Sequence, residues 1–413
     1  METHLADWLE ATPDGIAAES ILRSCVHCGF CTATCPTYQL LGDELDGPRG
    51  RIYLMKQVME GATPTQATQL HLDRCLTCRS CESTCPSGVR YGELLDIGRQ
   101  LVDQRVRRPL GQRLLRAALR EGMTRRWLFD PAMRVGQAVR PLLPAALRAK
   151  VPARREPGPL PARQHRRKVL LPPGCVQPAM MPRIDAATVR VLDALQIESV
   201  TAPGSGCCGA LRYHLNDHDG GLADARRNID AWWPGIERGD VEAIVVNASG
   251  CGAMIKDYGH LLREDPHYRD KAARVSGLTR DLAEFLPAHA DALRARMPPA
   301  AGQPPRVVFH PPCTLQHGQQ VRGAVEGLLA SLGVPVLPVA DAHLCCGSAG
   351  TYSVLQPQLS QQLRGRKLMQ LQQHGPAMIL SANIGCLAHL QSGTDTPVRH
   401  WIEWLDDALT PPA

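Results

Sequence analysis

Two stretches near the start of the chain share one cysteine spacing, and the interpretation of the whole sequence begins with them. Residues 25–36 read CVHCGFCTATCP, and residues 75–86 read CLTCRSCESTCP. Each follows the pattern C-x2-C-x2-C-x3-C-P, which is typical of thiolates that hold [4Fe–4S] clusters. The sequence therefore predicts two such clusters in the first part of the chain.

The fourth cysteine of each stretch precedes a proline, and in this pattern it reaches the cluster of the other stretch. The predicted ligand sets are Cys25, Cys28, Cys31 and Cys85 for one cluster, and Cys75, Cys78, Cys81 and Cys35 for the other. A zinc site is the alternative, because C-x2-C pairs also bind zinc. Two runs of four cysteines that end in Cys-Pro favour iron and sulfide over zinc.

The cysteine count limits where the protein can work. The 413 residues include 16 cysteines, and the first residues, METHLADWLEATPDG, lack the basic start and apolar core of an export signal. No apolar run approaches the roughly 18 residues that a membrane-spanning helix needs. We therefore expect a cytoplasmic protein whose cysteines bind metal and do not form disulfides.

The spacing between the two cysteine stretches indicates the type of the first domain. The 39 residues between Cys35 and Cys75 are too many for a small ferredoxin built on β-hairpins. They predict a turn over residues 47–50 and a helix over residues 51–60, and residues 4–24 predict a helix interrupted at Pro13. A helical ferredoxin-type domain over residues 1–100 fits this pattern.

Residues 25–61 and 75–99 also resemble a known family, the iron–sulfur subunits of bacterial glycolate oxidase (glycolate dehydrogenase). The wider group contains subunits of lactate-utilisation, anaerobic glycerol-3-phosphate dehydrogenase and heterodisulfide reductase systems. The resemblance extends over nearly the whole chain. It implies an electron-transfer subunit of a complex whose flavin subunits, carrying FAD, oxidise glycolate to glyoxylate. It also implies an electron acceptor such as quinone and contact with the cytoplasmic face of the inner membrane.

A basic segment follows the first domain. Residues 105–168 carry 16 Arg and 2 Lys against three acidic residues, a net +15 within a total of +6, so the remaining residues carry −9. We interpret residues 101–165 as a helical linker with breaks at Pro131, Pro141 and Pro144. Its surface could meet anionic lipid, an acidic partner or only solvent. Nucleic acid is not an expected partner, because no reading motif accompanies the charge.

The second half of the chain contains an internal repeat. The spacing is 138 residues from Cys175 to Cys313, from Cys207 to Cys345 and from Cys208 to Cys346, and 135 residues from Cys251 to Cys386. Short apolar strands alternate with helices in both copies, which predicts two α/β domains with parallel sheets, over residues 166–300 and 304–413.

Both copies resemble the cysteine-rich "CCG" domain of the heterodisulfide reductase group. In a parallel sheet, ligands gather where the strands end, so each copy could hold a further iron–sulfur cluster or metal. The two candidate sites are Cys175, Cys207, Cys208 and Cys251, and Cys313, Cys345, Cys346, Cys386 and His389. The group's terminal C-x2-C is absent, since Met254 and His389 occupy its last position. Buried, inert cysteines are the alternative.

Residues 204–209, GSGCCG, match a dinucleotide-binding pattern formally. The paired cysteines and the lack of these glycines in the second copy argue against a nucleotide. The chain shows no flavin, nicotinamide or nucleophile motif, so no catalytic residue is assigned. The alternatives to the glycolate system are a subunit that serves lactate or glycerol-3-phosphate, and a stand-alone protein that reduces a disulfide.

Overall fold

The computed structural model describes residues 1–144, 148, 150–298 and 304–409. Residues 145–147 and 149 of the predicted linker, and the predicted domain ends at 299–300 and 410–413, lie outside the described residues. The chain divides into two compact units: residues 1–117 with 343–367, and residues 118–342 with 368–413.

The first unit is helical, as the long spacing between the cysteine stretches predicts. A 3-10 helix spans Glu44–Asp46. The α-helices span Asp7–Glu10, Pro13–Ser24, Phe30–Ala33, Pro36–Leu41, Pro48–Met59, Gln66–Asp73, Ser80–Thr84, Tyr91–Arg105 and Tyr352–Leu355. Helices Leu110–Thr124 and Pro357–Gln372 begin at residues of the first unit and end at residues assigned to the second.

Prolines start helices in this unit. The predicted turn over residues 47–50 is wrong, because Gly47 precedes a helix that begins at Pro48 and runs to Met59. Proline is favoured at the first helical position, where its missing N–H would have no partner. Pro13 plays the same part after Thr12, whose hydroxyl accepts from Gly15 N at 3.0 Å. The core between the helices is apolar, with Leu22, Met55 and Leu94 fully buried.

The second unit contains two four-stranded parallel sheets, as predicted. The strands are β1 Arg167–Leu170, β2 Ile197–Val200, β3 Ala243–Val246, β4 Thr279–Asp281, β5 Val307–His310, β6 Val336–Leu337, β7 Met378–Ser381 and β8 Val398–His400. The first sheet has the order β2-β1-β3-β4, and the second has the equivalent order β6-β5-β7-β8. Since β1 and β5 pair on both sides, each repeat follows the same winding.

Helices connect the strands of the second unit. Short 3-10 helices span Arg140–Leu142 and Leu286–His289, and a π-helix spans Thr314–Gly318. The α-helices span Arg126–Ala138, Gln177–Met180, Pro182–Ala194, Ala210–His214, His218–Glu237, Ser249–Lys256, Tyr258–Leu261, Arg269–Leu278, Leu282–Phe285, Ala290–Arg294, Ala324–Ser331, Ile384–Gln391 and Trp401–Leu409.

The predicted helix break at Pro131 is wrong. Helix Arg126–Ala138 continues through this proline. Proline removes one backbone donor, whose acceptor four residues earlier is the carbonyl of Trp127. Because Trp127 is exposed, water can satisfy that carbonyl, which lowers the cost of the interruption.

Polar contacts join the two repeats within the second unit. Gln319 Nε2, from the second repeat, donates to Asp281 Oδ2 and to the carbonyl of Ser249, both at 3.0 Å. The hydroxyls of Ser249 and Thr314 lie 2.8 Å apart. The last helix, Trp401–Leu409, packs against helix Pro182–Ala194 of the first repeat.

No helix among the described residues is long and apolar enough to cross a membrane.

The buried carboxyl group of Asp281 makes stability at the repeat contact depend on pH. Burial raises its pKa from 3.8 to about 6, so between these values the folded state keeps a proton that the unfolded state releases. Stability therefore falls as pH rises through this window, by about 3 kcal/mol in total. Asp281→Asn, which can still cap the helix at Leu282, should remove this decrease from the urea midpoint measured by tryptophan fluorescence. The surface variant Asp240→Asn is the control, and parallel pH profiles for Asp281→Asn and the unmodified chain would contradict the prediction.

Candidate metal centres

Five cysteines of the first unit line one cavity: Cys25, Cys28, Cys31, Cys81 and Cys85. Burial, together with the nearby thiols of Cys25, Cys28 and Cys85, raises the pKa of Cys31 to about 11. Cys85 is therefore close to the first cysteine stretch, although it belongs to the second in sequence.

The cysteines that the sequence assigns to the second cluster, Cys35, Cys75, Cys78 and Cys81, form another group. Burial raises the pKa of Cys81 well above its usual value, and the nearby Cys78, Cys75 and Cys35 thiols add to the shift. Cys31 and Cys81 therefore keep their protons when no metal is bound, so iron must displace these protons as it binds. The donor set, four soft sulfurs in each group, fits a [4Fe–4S] cluster.

The loops that carry the thiols have the same backbone shape in both stretches. His27 and Gly29 have φ values of 55° and 85°, and Thr77 and Arg79 have 54° and 59°. Alternation with left-handed residues turns backbone N–H groups towards an anion, as in many iron–sulfur sites. Thr77 N donates to the Cys75 sulfur at 3.4 Å.

Two buried side chains hold the second loop. Arg99 donates to the carbonyls of Leu72 and Cys75 at 2.8 and 2.7 Å, and to the Thr77 hydroxyl at 3.0 Å. The phenol of Tyr91 donates to the Cys75 sulfur at 3.7 Å. Both contacts fix the position of Cys75 before any metal binds.

A carboxylate with no exposure to water lies behind this loop. Asp46 accepts from Arg74 Nη1 at 2.7 Å and from Arg51 Nη2 at 3.4 Å, and it contacts His71 Nδ1 at 3.1 Å. Asp43, Asp46 and His71 could geometrically hold a cation. The two guanidinium groups already neutralise Asp46, so we interpret the cluster as an ion-pair network.

The four cysteines of the first repeat come close together in the second unit. Cys175, Cys207, Cys208 and Cys251 form a row of neighbouring contacts: the hydrogen bond to Cys207 and burial raise the pKa of Cys175, and Cys208 contacts both Cys207 and Cys251. Cys175 and Cys207 follow β1 and β2, whose carboxyl ends are adjacent in the sheet. The row could bind a metal or undergo oxidation.

Polar side chains fix the paired cysteines of this repeat. Asn228 Nδ2 donates to the Cys207 carbonyl at 2.7 Å, and the Tyr258 phenol donates to the Cys208 carbonyl at 2.8 Å. Gly206 N donates to Asn228 Oδ1 at 2.8 Å. Because this N–H is used within the protein, the contact argues further against a nucleotide at residues 204–209.

The glycine after each cysteine pair is required by its surroundings. Gly209 and Gly347 have φ values of 87° and 88°. A Cβ atom at Gly209 would lie 2.4 Å from the Gly221 carbonyl oxygen, and one at Gly347 would lie 2.6 Å from the Ser360 carbonyl oxygen. The two copies therefore use the same turn.

The cysteines of the second repeat fall in both units. Cys345 and Cys346 belong to residues 343–367 of the first unit, and Cys313 and Cys386 belong to the second unit. All four are buried. Their convergence on one site remains a prediction.

Two histidines accompany Cys386. His389 is buried on the same helix, one turn away. A ring nitrogen of His310 and the Cys386 sulfur lie within 4.8 Å of each other. The sequence analysis did not assign His310 to a site, although its position at the end of β5 was a usable signal.

Cys251 and Cys386 lie in the first turns of helices Ser249–Lys256 and Ile384–Gln391, which follow strands β3 and β7. Met254 is part of the apolar core next to Cys208, so its side chain fills space in the first repeat where the related domains have a cysteine. The sequence also gave no sign of the roles of Asp46 and Arg51.

Comparison with known proteins agrees with this architecture. A family model described as a 4Fe-4S dicluster domain matches residues 21–89. A second model, described as a cysteine-rich domain and named CCG, matches residues 169–256 and 307–391. The chain is thus an iron–sulfur protein with one dicluster domain and two CCG repeats.

Relatives that align over most of the chain identify the protein family. The chain is 54% identical to the glycolate oxidase iron-sulfur subunit of Escherichia coli (strain K12), over 99% of both chains. It is 31% identical to the "Probable glycolate oxidase iron-sulfur subunit" of Bacillus subtilis (strain 168), over 91% of this chain and 90% of the relative. Lactate utilization protein A of Exiguobacterium sp. (strain ATCC BAA-1283 / AT1b) is 28% identical over 57% of this chain and 95% of its own length. The chain belongs to the family of glycolate oxidase iron–sulfur subunits, which confirms the resemblance.

Proposed function

We propose that this chain carries electrons from a flavin-bearing partner that oxidises glycolate to glyoxylate, through two [4Fe–4S] clusters, to an acceptor such as quinone. The observation that carries the proposal is that Cys25, Cys28 and Cys85 are the thiols that act on Cys31, whereas Cys78, Cys75 and Cys35 act on Cys81. In this assignment Cys85 completes the set of the first stretch, and Cys35 completes that of the second.

The chain alone does not perform the oxidation in this proposal. Oxidising a 2-hydroxy acid requires a hydride acceptor, and iron–sulfur clusters carry single electrons. The flavin, FAD, therefore belongs to partner subunits. The eight cysteines hold the clusters in place and provide a path for the electron.

The first cluster is the natural point of exchange with a partner. Cys28 is exposed, and the neighbouring Val26 and Phe30 are 67% and 60% exposed. Exposed apolar side chains beside a redox centre favour docking of another protein. A donor or acceptor that covers this patch would come close to the first cluster.

The basic segment offers a docking surface on the second unit. On helix Arg126–Ala138, Trp127 and Val135 are 69% and 63% exposed, and Arg134 is exposed among them. The helix has a strongly apolar side and a cationic side, a combination that binds anionic lipid or an acidic subunit. We propose that it attaches the chain to the complex or to the membrane surface.

The CCG repeats would add a further metal or cluster. The row of thiols from Cys175 to Cys251 supports a site in the first repeat, and Cys386 with His389 and His310 supports one in the second. Unlike methionine, histidine is a common metal ligand. The second repeat should therefore bind metal more tightly than the first.

Cysteine substitutions test the crossed ligand sets. Cys85→Ser should remove about four of the eight iron atoms that two [4Fe–4S] clusters contain. Adding Cys28→Ser to it should cause no further loss, because both residues serve the same cluster, whereas adding Cys78→Ser should remove the second cluster as well. Iron and acid-labile sulfide are measured on anaerobically prepared protein, with the unmodified chain as the control. Loss of both clusters in the Cys85/Cys28 double variant would show that the sets are not crossed.

Reconstitution tests the division of labour. The purified chain, with its clusters but without flavin, should not reduce an artificial dye with glycolate. Activity should appear when flavin-bearing partner subunits are added, and L-lactate should be tested in parallel because lactate utilization proteins are relatives. Glycolate turnover by the flavin-free chain would refute the proposal. A clear preference of the reconstituted complex for lactate would favour the other substrate.

Charge reversal tests the docking surface. Arg134 is exposed, whereas Arg126 on the same helix is paired with Asp130. Arg134→Glu should weaken association several-fold, and the wild-type association should weaken between about 0.1 and 1 M salt as screening shortens from about 10 to 3 Å. Sedimentation with anionic vesicles and co-purification with partner subunits distinguish the two occupants. Reversal of exposed Arg269 and Arg294 is the control, and unchanged binding in both assays would leave the helix as a solvated face.

A further inference from the structure

A guanidinium group is buried next to the second set of thiols. Arg51 is 1% exposed. It donates to the carbonyl of His71 at 2.7 Å and to the Thr37 hydroxyl at 3.2 Å. Burying a charge in this way is costly unless its surroundings favour it.

The group around Arg51 carries an excess positive charge. Arg51 and Arg74 share the single carboxylate of Asp46, at 3.4 and 2.7 Å. Two cations and one anion leave one positive charge, before any proton on His71 is considered. Such a charge acts strongly on its neighbours because little water screens it.

The excess positive charge lies near the cysteine sulfurs of the second predicted cluster. The Thr37 hydroxyl that accepts from Arg51 lies 3.3 Å from the Cys35 sulfur. Burial opposes the charge on Arg51, but Cys75, Tyr91 and Cys35 raise its pKa above the usual value. The Tyr91 phenol, which is also buried, donates to the Cys75 sulfur at 3.7 Å. A fixed cation therefore lies near Cys35 and Cys75, and a fixed hydroxyl donates to Cys75.

Adding one electron to a cluster makes the cluster and its thiolates more negative by one charge. Hydrogen bonds to sulfur and local charge are the main means by which a protein sets a cluster potential. We propose that Arg51 and Tyr91 raise the reduction potential of the cluster held by Cys35, Cys75, Cys78 and Cys81. This rests on the proposed function, in which one electron enters from the reduced flavin of a partner and leaves to the acceptor.

The cation near the first stretch is arranged differently. Arg49 lies beside Gly29 and is paired one to one with Glu44 at 2.7 Å, with both side chains more than a third exposed. Water and the carboxylate screen this charge. Arg49→Gln is therefore a matched control for a change at Arg51, two positions further along the same helix.

The test is a redox titration of the full-length chain, prepared anaerobically and followed by electron paramagnetic resonance. Tyr91→Phe removes one hydroxyl and little else, and should lower the midpoint potential of one cluster signal. Arg51→Met should lower the same midpoint further, and Arg51→Lys should restore part of it. Arg49→Gln should leave that midpoint unchanged. The Cys85→Ser variant identifies the signal, since it retains only the cluster that Arg51 faces.

The outcomes separate this inference from the proposed function. If the unmodified chain shows no [4Fe–4S] signal, the proposed function itself fails. If the signals are present and neither midpoint moves in Tyr91→Phe, or both move equally, the inference is overturned. Tyr91→Phe decides the matter even if Arg51→Met does not fold, because the phenylalanine keeps the shape of the buried ring.

Discussion

The carboxylate of Asp46 is the contact on which the metal-binding part of the chain depends. It is fully buried and binds Arg51, Arg74 and His71. These groups all come from the segment between the two cysteine stretches, and Asp46 joins its start, after Cys35, to its end, before Cys75. Removing one partner of a buried ion pair typically costs roughly 3–5 kcal/mol. The network therefore contributes to holding the loops in position.

The two repeats of the second half share one strand arrangement and one turn, and they differ at a candidate metal ligand. Both have a central strand paired on each side and a glycine turn after two cysteines. The shared turn has a steric cause, because backbone carbonyls leave no room for a side chain at Gly209 or Gly347. The position three residues after the last cysteine of each copy is free of that constraint. It holds a core methionine, Met254, in one copy and a buried histidine, His389, in the other.

Much of the fold could be predicted from the sequence, and the reasons are local. The alternation of strands and helices was predictable because the repeat contains short apolar runs such as AIVV, which is the fully buried strand β3. The helix start at Pro48 was missed, since a Gly-Pro-Arg-Gly sequence is typical of a turn and only tertiary contacts make it helical. The helix through Pro131 was missed because proline usually breaks a helix. Here water can replace the backbone hydrogen bond that the exposed Trp127 carbonyl loses.

The candidate sites were predictable to the extent that spacing determines them. Cysteine spacing predicts which thiols belong together, and it gives no information on the charges behind them. Arg51 looks like an ordinary helix surface residue in the sequence, and its burial depends on a partner at Asp46 and on a carbonyl at His71. Spacing also gives no information on His310 and His317, which are both buried. His400 acts as a cap, accepting from Ile402 N at 3.1 Å, and burial lowers its pKa to about 3.

The first unit is discontinuous along the chain, and this has a consequence for how the protein is made. Tyr352, more than two hundred residues after the cysteine stretches, donates to the carbonyl of Arg74 at 3.1 Å, directly before Cys75. At a synthesis rate of about 5–20 residues per second, residue 367 leaves the ribosome roughly 10 to 50 seconds after residue 117. During that interval the cysteine loops exist without their last segment. Cluster insertion during synthesis would therefore meet an incomplete unit, while insertion after release would meet a finished one.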